Sequence, residues 1–125
     1  MRVTKPEDMS RAFATLVEGG DLEGLLTLYD ANVKYVSRSG QIVESISGIR
    51  NAFQWALAFK GKFHIENKYC VANGDIALVR AAWRMNGTGA EGKRMDAQGN
   101  STEVLRRQPD ETWRYLIDNP FGADA

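Results

Sequence analysis

The hydrophobic period of this chain changes from mainly helical to strictly alternating at Gly61, and that change constrains the fold more than any other feature. Before Gly61, apolar residues recur every three or four positions, as they do on one face of an α-helix. After Gly61 they alternate with polar residues, as they do on one face of a β-strand. Helices followed by an antiparallel sheet define an α+β fold, and 125 residues are enough for a single domain over residues 1–125.

The first half of the sequence predicts three helices and two short strands. Thr4 and Glu7 have the spacing of a capping box for the first helix, which ends at Gly19. Asp21 is the predicted N-cap of the second helix, and Ser47 is the predicted N-cap of the third. The two short strands are predicted at 33–36 and 41–44.

The second half predicts four long strands arranged as two hairpins. They are predicted at 62–71, 76–85, 101–108 and 112–119. The segment 86–100 contains four glycines and several charges, which indicates a loop between the hairpins. Asn73-Gly74 is the strongest hairpin signal, and a two-residue type I′ turn there pairs Ala72 with Asp75. In that register His64 lies opposite Trp83, so both side chains share one face of the sheet.

The last predicted strand has an acid near its end, followed by Asn119 and Pro120. Strict alternation places three residues on one face: Arg114, Leu116 and Asp118. It places three others on the opposite face: Trp113, Tyr115 and Ile117. An acid on an otherwise apolar strand must either reach water or lie in a lined pocket.

Charge and cysteine content make several functions unfavourable. The 16 basic residues balance the 16 acidic ones, so neither nucleic acid nor a membrane surface is the expected partner. One histidine and one cysteine cannot supply a structural zinc site, and neither a metal nor an organic cofactor is predicted. No apolar run approaches the ~20 residues of a membrane span. The lone Cys70 and the absence of a signal-peptide pattern predict a cytoplasmic protein.

The element order, taken with several short motifs, resembles the nuclear transport factor 2-like superfamily. The motif Leu25-x-x-Leu28-Tyr29-x-x-x-Val33 before the first strand is typical of it, as are Gly48 at the third helix and an aromatic final strand. Within the superfamily the chain resembles the SnoaL-like and ketosteroid-isomerase-like branches. This resemblance implies a cone-shaped, curved antiparallel sheet packed against the three helices, with a small-molecule pocket between them.

The ketosteroid-isomerase-like branch has three functional groups that can be compared with this chain. Its hydrogen-bonding tyrosine on the first helix matches Phe13, which has no hydroxyl. Its general-base aspartate matches Tyr35. Its second acid, which precedes a Val-x-Arg pattern, matches Glu103. The resemblance therefore argues against steroid isomerisation and leaves a pocket as the expectation.

The SnoaL-like branch places a base near the end of the last strand, which makes Asp118 the best candidate for a catalytic base. Leu116 falls on the same predicted cavity face. On the neighbouring long strand, Ala77, Val79, Ala81 and Trp83 are predicted to face the cavity. His64 joins them through the predicted hairpin register and is a second candidate catalytic residue.

Each candidate also has a structural interpretation. Asp118 is either a base, a solvated strand-end carboxylate, or a cap whose oxygens accept nearby backbone N–H groups. Glu103 is either a neutral donor to an oxyanion or an ion-pair partner. The available ion-pair partners are Arg106, Arg107 and Arg114. His64, Trp83 and Tyr35 are either ligand-contacting residues or ordinary strand and core residues.

The predicted outer face of the sheet suggests a self-association surface. Trp113, Tyr115 and Ile117 combine there with Tyr69 and Ile65 in an apolar patch, and soluble monomers seldom expose such patches. We therefore expect a two-fold homodimer formed through the convex face of the sheet.

Two functions remain open at this level. The first is a cofactor-free enzyme that performs acid–base chemistry (as an isomerase, cyclase or hydrolase) on a small carbonyl compound. The second is a noncatalytic domain for ligand binding or dimeric assembly, because a fold does not determine a function.

Overall fold

Three helices cover one face of a six-stranded sheet in the computed structural model, which describes residues 2–124. The helices are α1 (Met9–Glu18), α2 (Leu22–Leu26) and α3 (Ser45–Ala52). The strands are β1 (Tyr29–Val36), β2 (Ile42–Glu44), β3 (Lys60–Asn73), β4 (Ile76–Thr88), β5 (Arg94–Arg107) and β6 (Trp113–Asn119). Short 3₁₀ turns occur at Pro6–Asp8, Gln54–Leu57 and Ala90–Gly92. This is the α+β architecture that the change of hydrophobic period predicts.

The strand order of the sheet is β2-β1-β6-β5-β4-β3. The pair β1–β6 is parallel, and every other neighbouring pair is antiparallel. The parallel pair joins the first strand of the chain to the last one. As a result, side chains from the two ends of the sequence meet in the middle of the sheet.

The helix starts agree with the sequence only in part. The side chain of Asp21 accepts the backbone N–H of Gly24 at 2.8 Å, which confirms it as the N-cap of α2. The predicted capping box of Thr4 and Glu7 is wrong, because a 3₁₀ turn comes first and α1 begins at Met9. Helix α3 begins at Ser45, so Ser47 lies inside it and is not its cap.

The predicted loop at 86–100 is wrong, because β4 and β5 continue as a long hairpin through most of it. Pairing extends to Thr88 opposite Arg94 before the chain turns. Gly99 belongs to this ladder. A Cβ atom there would lie 2.9 Å from Cδ1 of Phe121 and 3.0 Å from Cζ2 of Trp83. Glycine therefore serves close packing against these rings rather than forming a loop.

The β3–β4 hairpin differs from its predicted register. Its two loop residues are Gly74 and Asp75, and Gly74 takes a positive φ of 63°, a conformation that glycine adopts readily. A bulge at Lys68 then shifts the pairing by one residue. Ile65 therefore lies opposite Trp83, whereas His64 lies opposite Arg84 and is exposed. The predicted pairing of His64 with Trp83 is wrong.

A second bulge changes which side chains of β6 lie on the inner face of the sheet. Leu105 pairs with Tyr115 and Val104 pairs with Ile117, which leaves Leu116 as an extra residue between them. One extra residue reverses the alternation, so Tyr115 and Asp118 share the inner face. Trp113 and Tyr115 are only 6% and 5% exposed and belong to the core. The predicted outer patch containing them is therefore wrong.

The outer face of the sheet carries a different apolar row. Four residues from four adjacent strands lie opposite one another in register: Val71, Leu78, Val104 and Ile117. Three of them are exposed, with relative accessibilities of 56% for Val71, 39% for Leu78 and 42% for Ile117. We call these four residues the outer apolar row.

Among residues 2–124, no helix has both the length and the apolar character needed to cross a bilayer.

Candidate functional site

A cavity of about 200 Å³ lies between the inner face of the sheet and the helices. Most of its wall is aromatic or aliphatic, as in the small-molecule sites of many proteins. The apolar lining residues are Phe13, Phe53, Trp55, Phe63, Ile65, Trp83, Met85, Met95, Pro120 and Phe121. The lining residues with polar side-chain groups are Ser10, Tyr35, Ser101, Glu103, Tyr115 and Asp118.

Phe13 on α1 is the centre of the aromatic wall. Its ring meets those of Phe53, Phe63 and Tyr115, with centroid distances of 5.9, 5.6 and 6.1 Å. The contacts with Phe53 and Tyr115 are edge-to-face, an arrangement that the ring quadrupoles favour. The predicted placement of Phe13 against a pocket agrees with this geometry.

Trp83 forms a second part of the wall. Its ring is parallel to Phe63 within 6°, at a centroid distance of 5.8 Å, and it meets Phe121 edge-on at 5.4 Å. The indole N–H donates a hydrogen bond of 2.7 Å to the carbonyl oxygen of Pro120. This contact fixes both the tryptophan and the segment after β6 against the cavity.

Glu103 and Asp118 form a pair of carboxyl groups in this wall. They are direct cross-strand partners on β5 and β6, and they are 8% and 4% exposed. Within the described residues, no lysine or arginine forms an ion pair with either acid. Arg106 binds Asp30, and Arg107 binds Asp75. The ion-pair interpretation of Glu103 is therefore wrong, and so is the solvated interpretation of Asp118.

The surroundings of the two acids raise the pKa of both. Burial, together with the negative charge of Asp118, raises the pKa of Glu103 to about 8, although the hydroxyl of Ser101 offsets part of this rise. Burial raises the pKa of Asp118 to about 6, and the hydrogen bond from Tyr29 limits the rise. At neutral pH the pair therefore holds about one proton between its two carboxyl groups.

Three tyrosines surround the acid pair. The hydroxyl of Tyr29 on β1 donates a hydrogen bond of 2.6 Å to Oδ2 of Asp118, and Tyr29 is fully buried behind the cavity wall. Tyr35 lies opposite Asp118 in the β1–β6 ladder. Burial and the charge of Asp118 raise the pKa of Tyr35. Burial and the charges of both acids raise the pKa of Tyr115. These phenols remain protonated donors at neutral pH.

Two residues predicted to be catalytic or ligand-binding lie outside this arrangement. Three others were predicted to face the cavity but are buried in the core without lining it: Ala77, Val79 and Ala81. His64 is exposed and lines a shallow polar depression on the outer face of the sheet, with Glu66, Arg84 and Gln98. Leu116 is the bulge residue of β6 and does not line the cavity. Both placements follow from single-residue bulges, which move a side chain to the other face of a sheet.

Sequence reasoning missed Tyr29, Tyr115 and Phe53 as parts of the site. Tyr29 lies in the Leu-x-x-Leu-Tyr motif, which was the only signal for it. Alternation assigned Tyr115 to the opposite face, and only the bulge at Leu116 corrects this. Phe53 follows α3 directly and fits the helical spacing of apolar residues before Gly61, and that spacing does not indicate that a cavity lies beside it.

The sequence model of the SnoaL-like domain family matches residues 10–115, which is most of the chain. The protein therefore belongs to the SnoaL-like domain family. The fold, with its curved open sheet and three helices, is that of the nuclear transport factor 2-like superfamily. A comparison with curated proteins gives no match.

Solved structures with the same fold are distant in sequence. A conserved protein from Planctomyces limnophilus DSM 3776 has a TM-score of 0.81 and 13% identity, with 92% of this chain and 91% of that chain covered. A ketosteroid isomerase-like protein from Erwinia carotovora atroseptica SCRI1043 has a TM-score of 0.77 and 17% identity, with 91% and 90% covered. A nuclear transport factor 2-like superfamily protein from Salmonella enterica subsp. enterica serovar Typhimurium str. LT2 has a TM-score of 0.73 and 13% identity, with 94% and 89% covered. At these identities the similarity concerns the fold.

Proposed function

We propose that this protein is a cofactor-free enzyme that performs acid–base chemistry on a small carbonyl compound. The observation that carries the proposal is the pairing of Glu103 with Asp118 inside an aromatic cavity. Two neighbouring carboxyl groups with pKa values on either side of neutrality supply one base and one acid in the same place.

Asp118 is the base in this proposal. Its carboxylate is largely ionised at neutral pH, and its raised pKa makes it a stronger base than an exposed aspartate. The hydrogen bond from Tyr29 engages Oδ2 and orients the group. Oδ1 then accepts a proton from the carbon next to the carbonyl group of the substrate.

Glu103 is the hydrogen-bond donor to the carbonyl oxygen, and it keeps its proton throughout the reaction. When the C–H bond breaks, its electron pair forms an enolate, and the negative charge develops on the oxygen. The protonated carboxyl of Glu103 and the hydroxyl of Tyr35 are the donors available to that oxygen. Asp118 then returns its proton to the same carbon or to another one. This sequence consumes no oxidant, reductant or cofactor, so isomerisation is the simplest overall reaction.

A noncatalytic ligand-binding or assembly domain is the second candidate. Phe13 favours it, because this cavity residue has no hydroxyl where the isomerase-like branch has a tyrosine. Such a domain would bind a carbonyl compound in the same cavity without removing a proton from it.

The proposal predicts that the protein exchanges the proton on the carbon next to a carbonyl group for deuterium. This exchange can be measured with any ketone, because it does not depend on which product forms. Small ketones are incubated with the protein in deuterated water, and the loss of the α-proton signal is followed by NMR. We expect protein-dependent exchange that Asp118→Asn reduces by about 100-fold or more, the usual contribution of a general base. Glu91→Gln changes an exposed acid in the β4–β5 turn and is the matched control.

The two candidate functions give different results in this assay. Exchange that is equally fast in Asp118→Asn and in the unmodified protein would contradict the assignment of the base. Ketones that bind in the cavity without any exchange would support the noncatalytic alternative.

A further inference from the structure

We infer that the cavity selects uncharged carbonyl compounds of about one ring and excludes carboxylates. The inference rests on the proposed function and narrows its substrate class. It depends on three properties of the cavity: its volume, the sign of its charge, and the type of hydrogen-bonding groups that face into it.

The cavity volume limits the ligand to about one ring. An engineered apolar cavity of about 150 Å³ accepts benzene, whereas sites for drug-sized ligands begin near 300 Å³. At about 200 Å³, this cavity lies between those values and accommodates one ring with a short substituent. The stacked rings of Phe63 and Trp83 form part of the wall that such a ligand would contact. A compound of four fused rings exceeds this space and would leave part of its surface outside the cavity.

The charge of the cavity excludes an anion. Its lining contains two carboxyl groups but no lysine, arginine or histidine. The carboxylate of Asp118 is buried, and its side-chain hydrogen bond comes from a neutral phenol, Tyr29. A ligand carboxylate would lose its hydration and meet a like charge at short range, and both effects weaken its binding.

Arg38 does not reverse this conclusion. Its guanidinium lies over the ring of Phe121, 4.9 Å from the ring centroid, on an exposed turn between β1 and β2. Phe121 lines the cavity, whereas Arg38 does not. The positive charge is therefore outside the space that a ligand ring would occupy.

The hydrogen-bonding groups favour a carbonyl oxygen over an ammonium group. The protonated carboxyl of Glu103 and the hydroxyl of Tyr35 are donors that need an acceptor once water has left the cavity. A carbonyl oxygen accepts hydrogen bonds from both groups. An ammonium group would pair with the carboxylate of Asp118, but it supplies only donors and would leave those of Glu103 and Tyr35 unpaired.

Ligands of matched shape test this inference. Acetophenone and benzamide are uncharged, benzoate is a close anionic match, and benzylamine is cationic at neutral pH. A four-ring steroid ketone tests the size limit. Binding is measured by isothermal titration calorimetry near pH 7.5, with Asp118→Asn as the charge variant, Glu91→Gln as the control and Arg38→Gln as the rim variant.

We expect the two uncharged single-ring compounds to bind at least about tenfold more tightly than benzoate, benzylamine and the steroid ketone, a difference of about 1.4 kcal/mol. Asp118→Asn should raise the affinity for benzoate by about tenfold or more, because the like charge is gone. Glu91→Gln and Arg38→Gln should leave the order of affinities unchanged.

Several results would overturn the inference. Benzoate that binds as tightly as benzamide would disprove anion exclusion. If that binding of benzoate is lost in Arg38→Gln, Arg38 beside the cavity is its source. Benzylamine that binds more tightly than benzamide would disprove the preference for uncharged ligands. A steroid ketone that binds more tightly than acetophenone would disprove the size limit.

The proposed function and this inference can fail separately. If single-ring carbonyl compounds do not bind but other ketones undergo exchange that depends on Asp118, only the substrate class is wrong. If ketones of every size tested neither bind nor exchange, the proposed function fails as well.

Discussion

Glu103 on β5 lies directly opposite Asp118 on β6, and both carboxyl side chains line the same aromatic cavity. Each raises the cost of ionising the other, so the protons leave in two separate steps that belong to the pair. Between those steps, one acid and one base coexist within a single wall of the sheet. The pH dependence of the protein follows from this relationship.

The rate of α-proton exchange should follow a bell-shaped pH profile with its maximum near neutrality. Asp118 must be ionised to act as a base, which produces an acidic limb near its pKa of about 6. Glu103 must be protonated to act as a donor, which produces an alkaline limb near its pKa of about 8. The profile of kcat/KM for the unmodified protein checks both limbs. Glu103→Gln should remove the alkaline limb, and an unchanged limb would exclude Glu103 as its source.

Tyr29→Phe should move the acidic limb to higher pH. The hydrogen bond from Tyr29 stabilises the ionised form of Asp118, and its loss therefore raises the pKa of that carboxyl. A hydrogen bond to a charged group contributes about 1.5–3 kcal/mol, which corresponds to roughly one to two pKa units. The pH profile of Tyr29→Phe measures this shift. Tyr69→Phe, on the exposed side of β3, is the control and should leave the limb in place.

Glu103→Gln should stabilise the protein at alkaline pH. The pKa of Glu103 is raised to about 8 in the folded state, so between about pH 4.5 and pH 8 the folded state binds more protons than the unfolded state. The free energy of unfolding therefore falls as pH rises through this window, and the neutral amide removes that contribution. Chemical denaturation at pH 5 and pH 9 tests the prediction. The variant should lose less stability between the two pH values than the unmodified protein, and equal losses would contradict the prediction.

Arg106→Leu should lower the free energy of unfolding by about 2 kcal/mol at neutral pH. The Asp30 carboxylate has only 3% side-chain exposure and receives two hydrogen bonds, of 2.9 and 3.0 Å, from Arg106. Burial opposes ionisation of Asp30, but the backbone N–H of Asn32 and the side chains of Gln108 and Arg106 hold its pKa below the usual value.

The destabilisation caused by Arg106→Leu should shrink as the pH falls below about 4. A lowered pKa in the folded state contributes stability above the unfolded value, and that contribution is lost as Asp30 takes up a proton. Urea denaturation at several pH values measures the change. If the difference in the free energy of unfolding between the variant and the unmodified protein stays constant down to pH 3, the destabilisation comes from lost packing of the arginine stem and not from its lost charge.

The predicted homodimer should form through the outer apolar row rather than through Trp113 and Tyr115. Exposed apolar residues in a continuous row across adjacent strands are a typical self-association surface. Sedimentation should give a dimer at micromolar concentration, and Leu78→Lys combined with Ile117→Lys should give a monomer. Ile42→Lys changes an exposed residue of edge strand β2 and should leave the dimer intact. A monomer for the unmodified protein would refute the prediction.

The sequence predicted the fold better than it predicted the site. The period change at Gly61 identified the order of helices and strands, and Asp21 was correctly assigned as a cap. The loop predicted at 86–100 failed because two of its glycines, Gly87 and Gly99, lie inside the paired hairpin, where Gly99 leaves room for Trp83 and Phe121. Composition does not distinguish a glycine required by a turn from one required by close packing.

Local sequence supplied the candidate groups of the site: an acid near the end of β6, a second acid on β5, and several aromatic residues. The tertiary structure decided which of them meet. The bulge at Leu116 turns both Tyr115 and Asp118 inward, and the bulge at Lys68 turns His64 outward. The parallel pairing of β1 with β6 brings Tyr29 to Asp118 across 89 positions of sequence. Alternation cannot reveal these relationships, because one extra residue reverses the facing of a strand and long-range pairing leaves no local signal.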